Sequence, residues 1–172
     1  MNEIWQALRD DFTVSQAEVV QLLHYALRLM LATVCGAALG LEREWSHRSA
    51  GLRTHMLTAS GAALFVLAAG MGDPAALSRI VQGVATGIGF LGAGVILKRV
   101  EERRIIGITS AAGVWMTAAV GVAAAAGRAG LAIIGTLFAL IIFTVLGWLE
   151  RRVEHKPDDQ DPPPAESQTK TA

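Results

Sequence analysis

Residues 86–94 have the sequence Thr86-Gly87-Ile88-Gly89-Phe90-Leu91-Gly92-Ala93-Gly94, inside an apolar stretch that is bounded by Arg79 and Lys98. Such a density of glycine destabilises a helix in water, since each glycine costs up to about 1 kcal/mol relative to alanine. In a bilayer the backbone must satisfy its own hydrogen bonds, so a helix persists and glycine lets a neighbouring helix approach closely. The stretch therefore predicts a membrane helix in the interior of a bundle, with tight helix–helix contacts at Gly87, Gly89, Gly92 and Gly94.

The rest of the chain has the composition of an integral membrane protein. It contains 172 residues, of which 52% are hydrophobic, and its mean hydropathy is +0.43. A hydrocarbon core of about 30 Å needs about 20 helical residues, and five apolar segments approach or exceed that length. They are Val20–Leu41, His55–Met71, Ile80–Leu97, Ile105–Ala126 and Ala129–Leu149. The predicted fold is an all-α membrane protein, a bundle of five transmembrane helices.

The two ends of the chain differ from this membrane domain, which we place at residues 19–154. Residues 1–18 carry apolar side chains at helical spacing, which predicts an amphipathic N-terminal segment lying on the membrane. Residues 155–172 combine prolines with polar residues, which is typical of a disordered tail.

The basic residues predict the orientation. Most of the 15 lysines and arginines follow the first, third and fifth spans, namely Arg43, Arg48, Arg53, Lys98, Arg99, Arg103, Arg104, Arg151, Arg152, Lys156 and Lys170. Because cytoplasmic loops carry an excess of such residues, the N-terminus is expected outside and the C-terminus in the cytoplasm.

Arg28 is the charged residue inside the first predicted span. An arginine near the centre of a span costs roughly 2.5–3.5 kcal/mol on insertion scales. Two interpretations stay open: the side chain extends outward to the interface, or it is a buried cation that faces a cavity or Asp73.

A second group of charged residues lies between the first two spans. Glu42 and Arg43 end the first span, and Arg53, Thr54 and His55 begin the second. Charge alone favours simple anchoring of a cytoplasmic loop, but donors at a helix N-terminus also suit an anion. We therefore take six residues as a candidate functional polar cluster: Arg28, Glu42, Arg43, Arg53, Thr54 and His55.

Small residues also recur four apart outside the glycine-rich stretch, at Gly36/Gly40 and at Gly113/Thr117/Gly121. The spacing favours close helix contacts, so Gly113 joins the predicted packing glycines.

Enzymatic and metal chemistry find little support in the sequence. The four histidines do not share metal-ligand spacing with Cys35. The glycine-rich stretch lacks the lysine of a nucleotide-binding loop. We expect no enzymatic activity, no catalytic residue, no metal site and no cofactor.

Four ordered motifs resemble the MgtC/SapB family of bacterial inner-membrane proteins. They are Gly40-Leu41-Glu42-Arg43-Glu44-Trp45, Ala50-Gly51-Leu52-Arg53-Thr54-His55-Met56-Leu57, Gly87-Ile88-Gly89-Phe90-Leu91-Gly92-Ala93-Gly94-Val95-Ile96-Leu97 and Gly107-Ile108-Thr109-Ser110-Ala111-Ala112-Gly113-Val114-Trp115. The chain departs from the family pattern at Ile106, where a basic residue is expected, and at Gly83, where a glutamine is common. It resembles a short form that lacks the soluble C-terminal domain of longer members.

The resemblance implies a non-enzymatic, multi-pass protein of the bacterial inner membrane that serves magnesium homeostasis, adaptation to low magnesium and, in pathogens, virulence. It implies regulation of a membrane partner, with restraint of the ATP synthase as the leading possibility, and it leaves room for a homo-oligomer.

Transport of magnesium or another ion or solute is the alternative. Magnesium normally needs carboxylate or phosphate oxygens, and no Asp or Glu falls inside the five predicted spans. The bilayer is the expected environment, and we expect no nucleic-acid partner.

Overall fold

The computed structural model of the chain describes residues 15–70, 72–99 and 104–149. It contains five helices that are long and apolar enough to cross a membrane, which confirms the predicted all-helical architecture. They are α1 (Gln16–Trp45), α2 (Leu52–Ala69), α3 (Pro74–Val95), α4 (Ile108–Ala125) and α5 (Ala129–Ile141, which continues through a π-helical turn at Ile142–Leu146 to Leu149). Most of the predicted N-terminal segment, Met71 and the predicted tail at 155–172 lie outside the described residues. The orientation of the termini stays a prediction.

The first helix begins earlier than its predicted start at Val20. The Ser15 side chain accepts a hydrogen bond from the Glu18 backbone N–H at 3.3 Å, and the Glu18 carboxylate accepts one from the Ser15 N–H at 2.6 Å. This reciprocal capping box satisfies two helix-terminal donors and fixes the helix start at Gln16. The sequence placed a boundary at residue 19, but α1 runs continuously through it.

A short antiparallel hairpin separates α3 from α4. Its strands are β1 (Leu97–Arg99) and β2 (Arg104–Ile106), with Leu97 paired to Ile106. The ends predicted for the third span at Leu97 and for the fourth at Ile105 are therefore wrong, because both residues belong to strands. Gly107 joins β2 to α4 at a φ of +94°, a backbone conformation that favours glycine.

The centre of the bundle is α4. It packs against each of the other four helices, whereas α3 packs mainly on α4 and less on α2. Nine residues of α4 are buried: Ser110, Gly113, Val114, Thr117, Ala118, Val120, Gly121, Ala124 and Ala125. In α3 only Ile88 and Gly92 are buried among the described residues. The prediction that the third span occupies the interior is wrong, since α4 fills that place.

The tight helix contacts predicted for the glycine-rich stretch are also wrong. A Cβ built on Gly87, Gly89 or Gly94 would meet no atom within 4 Å, so these three glycines make no tight helix contact within the described part of the chain. A Cβ on Gly92 would lie 3.6 Å from the Ala111 side chain of α4, which is ordinary van der Waals contact. The stretch lies at the edge of the bundle because only one side of α3 packs on α4.

The close helix contacts lie at other glycines. A Cβ on Gly36 would lie 2.7 Å from the carbonyl oxygen of His55 and 2.8 Å from the Ala59 side chain. A Cβ on Gly121 would collide with the backbone of Ala59, with the carbonyl carbon at 2.9 Å. Glycines on α1 and α4 therefore let both helices approach the backbone of α2, as membrane helices commonly do at small residues.

Candidate functional site: a buried polar centre

Two basic side chains are buried where the end of α1 meets the start of α2. Arg43 is 2% exposed and His55 is fully buried. The approach of α2 to α1 puts them there, since a Cβ on Gly40 would lie only 2.7 Å from the Leu52 Cα and 3.0 Å from the His55 Cβ. Arg43, His55 and the residues that contact them, Glu42, Thr117 and Phe143, form what we call the buried polar centre.

His55 is held by α4. Its Nδ1 lies 2.6 Å from the Thr117 hydroxyl oxygen, and that hydroxyl also donates to the carbonyl of Gly113 at 2.8 Å. A hydroxyl has one proton, so when it bonds to the Gly113 carbonyl, Nδ1 of His55 is the donor. The other ring nitrogen, Nε2, is buried and has no hydrogen-bond partner in the described part of the chain. One side of the imidazole is therefore fixed, and the other is left free to bond.

Arg43 is held by a carboxylate and by an aromatic ring. Its Nε donates to Glu42, whose other carboxylate oxygen accepts from the Ser46 hydroxyl at 2.8 Å. The guanidinium carbon lies 3.7 Å from the centroid of the Phe143 ring, within cation–π range. Nη1 is buried with no partner among residues 15–70, 72–99 and 104–149. The guanidinium thus retains an unused donor in the interior.

Gly113 makes room for this arrangement, as its predicted packing role requires. A Cβ at that position would lie 3.0 Å from Cζ of Phe143 and 3.4 Å from Cε1 of His55. Phe143 belongs to the π-helical turn Ile142–Leu146 of α5, and such turns widen a helix locally. Helices α1, α2, α4 and α5 therefore meet at one polar centre, and a side chain on Gly113 would crowd it.

The predicted anion site at the N-terminus of α2 is occupied by the chain itself. A carboxylate oxygen of Glu44 accepts a hydrogen bond from the Leu52 N–H at 3.0 Å. A Cβ on Gly51 would collide with the same carboxylate. Arg53 and Thr54 are exposed, and His55 points into the bundle. The sequence was right that this helix end suits an anion, but the anion is Glu44 on α1.

Arg28 does not join the polar centre. It lies fourteen residues before Glu42 on α1, about 21 Å away at the helical rise. Its Nη1 donates to the carbonyl of Ala125 at 3.1 Å, so it supplies a cation to the C-terminal end of α4. Asp73, the partner considered from sequence, pairs with Arg79 instead, at 3.7 Å. Of the six candidate residues, the structure brings together Glu42, Arg43 and His55, and it separates Arg28, Arg53 and Thr54 from them.

Sequence reasoning missed Thr117 and Phe143 as members of the centre. Thr117 was visible as a small residue between Gly113 and Gly121, four residues from each. That spacing puts the threonine hydroxyl on the buried face of α4, which was the available signal. Nothing in the sequence around Phe143 separates it from the neighbouring apolar residues of α5.

The buried charge of Arg43 disfavours a free cation at the centre. The two unused positions differ in kind: Nη1 of Arg43 is a donor, whereas Nε2 of His55 is an acceptor when Nδ1 carries the proton, and the Glu42 carboxylate is bound to Arg43 and Ser46. No group of three or more His, Cys, Asp or Glu side chains that could hold a metal ion occurs among the described residues.

The motifs around this centre have counterparts in known proteins. Residues 29–152 match the sequence model of the MgtC family, which is more than half of the chain. The chain belongs to the MgtC family. The matched range contains the whole buried polar centre, and it begins immediately after Arg28.

Three named relatives each align with about three quarters of this MgtC family member. SrpB of Synechococcus elongatus is 44% identical over 139 residues, covering 73% of this chain and 76% of SrpB. YhiD of Escherichia coli K12 is 39% identical over 141 residues, covering 77% of this chain and 65% of YhiD. MgtC of Salmonella typhimurium LT2 is 38% identical over 133 residues, covering 77% of this chain and 57% of MgtC. The chain thus spans less than two thirds of YhiD and of MgtC. No solved structure matches it.

Proposed function

We propose that this MgtC family protein is a non-enzymatic regulatory factor of the bacterial inner membrane that acts by binding another membrane protein. The physiological setting is adaptation to low magnesium and, in a pathogen, virulence. The ATP synthase is the leading partner. Family membership supports this setting, and the surface of α3 supports the mode of action.

The observation that carries the proposal is the face of α3 that points away from the bundle, which we call the outward face. Its residues share one side of the helix and are exposed: Gln82, Thr86, Gly89, Phe90 and Ala93. The Phe90 side chain is 83% exposed. A polar, glycine-containing helix face of this kind suits a partner helix better than it suits lipid.

One polar group of this face, the Gln82 side-chain amide, is poorly satisfied within the described residues. The Gln82 amide nitrogen makes one long contact with the Ser78 hydroxyl, at 3.4 Å. The Thr86 hydroxyl donates back to the Gln82 carbonyl at 2.8 Å. A side-chain amide without good hydrogen bonds costs several kcal/mol in an apolar medium, on the order of 4–8 for transfer into hydrocarbon. A membrane partner that bonds to Gln82 would remove this cost, and Gly89 would let its backbone come close.

The charges of the interior support regulation over magnesium transport. The carboxylates of the described residues are Glu18, Glu42, Glu44 and Asp73, and all lie at helix ends. Glu42 is bound by Arg43, and Glu44 caps α2. Magnesium prefers oxygen ligands and releases its water reluctantly, so a path past a buried guanidinium is unfavourable. Transport of magnesium or of another ion or solute remains the alternative function.

The test uses ATP-driven proton pumping in inverted inner-membrane vesicles. Expression of the wild-type protein should lower pumping, and Gly89→Leu should restore it, because leucine on the outward face blocks close approach. Gly130→Leu is the matched control, since Gly130 on α5 also faces open space and should leave the inhibition unchanged.

Purified protein in liposomes tests the transport alternative. The regulatory proposal expects no magnesium uptake in the absence of a partner protein. Magnesium uptake that requires the wild-type protein, together with unchanged proton pumping in the vesicles, would overturn the proposal. If Gly89→Leu and Gly130→Leu inhibited pumping as wild type does, the outward face would be excluded as the contact surface.

A further inference from the structure

A crevice lies between α2 and α3 on the side of α3 that faces α2. It has a volume of about 540 Å³ and is lined largely by apolar atoms, including those of Leu57, Gly61 and Phe65 on α2 and of Ile80, Gly83 and Gly87 on α3. The three glycines have no side chain to fill the crevice. A Cβ built on any of them would lie in empty space, with no atom within 4 Å. The crevice is separate from the outward face, which is centred on Gly89.

One end of the crevice carries a cation. Arg79 lines it near the N-terminal end of α3. Its described charged partner is Asp73, at 3.7 Å, and the two side chains are 70% and 57% exposed. Exposed pairs at such distances contribute about 0–1 kcal/mol, so an anion with better geometry can replace Asp73. The guanidinium is available to a ligand in the crevice.

The length of the crevice matches one leaflet of a bilayer. Its lining runs along α3 from Arg79 to Leu91, which is twelve residues or about 18 Å at the helical rise. Half of a hydrocarbon core of about 30 Å is roughly 15 Å. With Arg79 at the interface, the crevice ends near the middle of the membrane. That depth suits a single acyl chain and is too short for a spanning helix.

We propose that the α2–α3 crevice binds one anionic phospholipid, with an acyl chain between the helices and the phosphate on the Arg79 guanidinium. Arginine forms paired hydrogen bonds with the phosphate, and the preference for an anionic headgroup comes from its net negative charge, which the choline ammonium of phosphatidylcholine cancels. A second copy of this chain is a poorer occupant, because a symmetric contact through this crevice would bring two Arg79 side chains toward each other.

The experiment is native mass spectrometry of the purified full chain released from detergent, after addition of phosphatidylglycerol or of phosphatidylcholine with the same acyl chains. One phosphatidylglycerol should remain bound per chain, and phosphatidylcholine should bind less. Arg79→Gln should weaken phosphatidylglycerol binding about tenfold, to the level of phosphatidylcholine. The variant loses the hydrogen bonds between the guanidinium and the phosphate, and hydrogen bonds to charged groups are strong enough for a loss of that size. Gly87→Leu should remove both lipids by filling the crevice.

Gly89→Leu on the outward face is the matched control, and it should retain phosphatidylglycerol as wild type does. Helical circular dichroism of each variant verifies folding, and Gly83→Leu provides a second crevice-filling change. Equal retention of the two lipids by the wild type would overturn the proposal, as would unchanged phosphatidylglycerol binding by Gly87→Leu. A dimer mass that Gly87→Leu abolishes, with no bound lipid, would assign the crevice to a second copy and also overturn it.

Discussion

Gly121→Ala should destabilise the bundle although alanine is the better helix former. An added Cβ would lie 2.9 Å from the carbonyl carbon of Ala59 and 3.0 Å from its Cα, and closer still to its carbonyl oxygen. Carbon atoms pack best at about 3.5–4.0 Å, and the still closer carbonyl oxygen is the limiting contact, so α2 and α4 must separate by about 1 Å. Overpacking of this kind costs about 1–3 kcal/mol, while alanine returns up to about 1 kcal/mol of helix propensity. Because the contacted atoms of Ala59 are backbone and cannot rotate aside, the cost lies in the upper half of that range, and the expected net loss is about 1–2 kcal/mol.

Gly87→Ala is the matched control for that prediction. It makes the same chemical change in a membrane helix, at a position where the new methyl group meets open space. It should be neutral or should stabilise the protein by up to about 1 kcal/mol. The assay is unfolding of purified protein in mixed micelles of rising SDS content, followed by tryptophan fluorescence. A Gly121→Ala midpoint equal to wild type, or an equal loss in Gly87→Ala, would refute the assignment of the tight contacts to α4.

The same titration tests three further contacts. Thr117→Val should cost about 1–3 kcal/mol, because Nδ1 of His55 loses its buried partner. Thr136→Val should cost less, because the Thr136 side chain is buried but, among the described residues, bonds only to its own helix. Glu44→Ala should cost about 0.5–2 kcal/mol by removing the cap of α2, and Glu44→Gln should keep part of it. Arg28→Ala should cost about 0.3–1 kcal/mol at the C-terminus of α4, with Arg28→Lys milder. Equal losses for the two threonine variants, or unchanged midpoints for the Glu44→Ala and Arg28→Ala proteins, would contradict these roles.

The sequence predicted the number of helices well because membrane spans depend on length and apolar composition. It predicted their arrangement poorly because glycine density does not identify which side of a helix meets a neighbour. The stretch from Gly87 to Gly94 drew attention by its composition, whereas the contacts lie at Gly36 and Gly121. These two belong to small-residue pairs spaced four apart, a pattern that many lipid-facing helices also contain.

The polar centre was predictable only in part, because the sequence shows which residues are close along the chain but not which distant helices pack together. Glu42, Arg43 and His55 lie near one another along the chain, so a turn between two spans brings them together. Thr117 and Phe143 come from distant helices, and only the packing of α4 and α5 supplies them. The sequence indicated that the α2 N-terminus suits an anion but did not identify that anion, because the sequence does not show that Glu44 reaches back to Leu52.

The central position of α4 has a consequence for biosynthesis. His55 and its partner Thr117 are 62 residues apart, so at about 5–20 residues per second the ribosome needs roughly 3–12 s to supply the second after the first. Phe143, which covers the Arg43 guanidinium, emerges later still. During that interval α1 and α2 are inserted with an imidazole and a guanidinium that lack their final neighbours. A nascent chain that stops after α3 therefore presents polar groups without their final neighbours at the end of α1 and the start of α2, the kind of defect that membrane proteases and insertion factors can recognise.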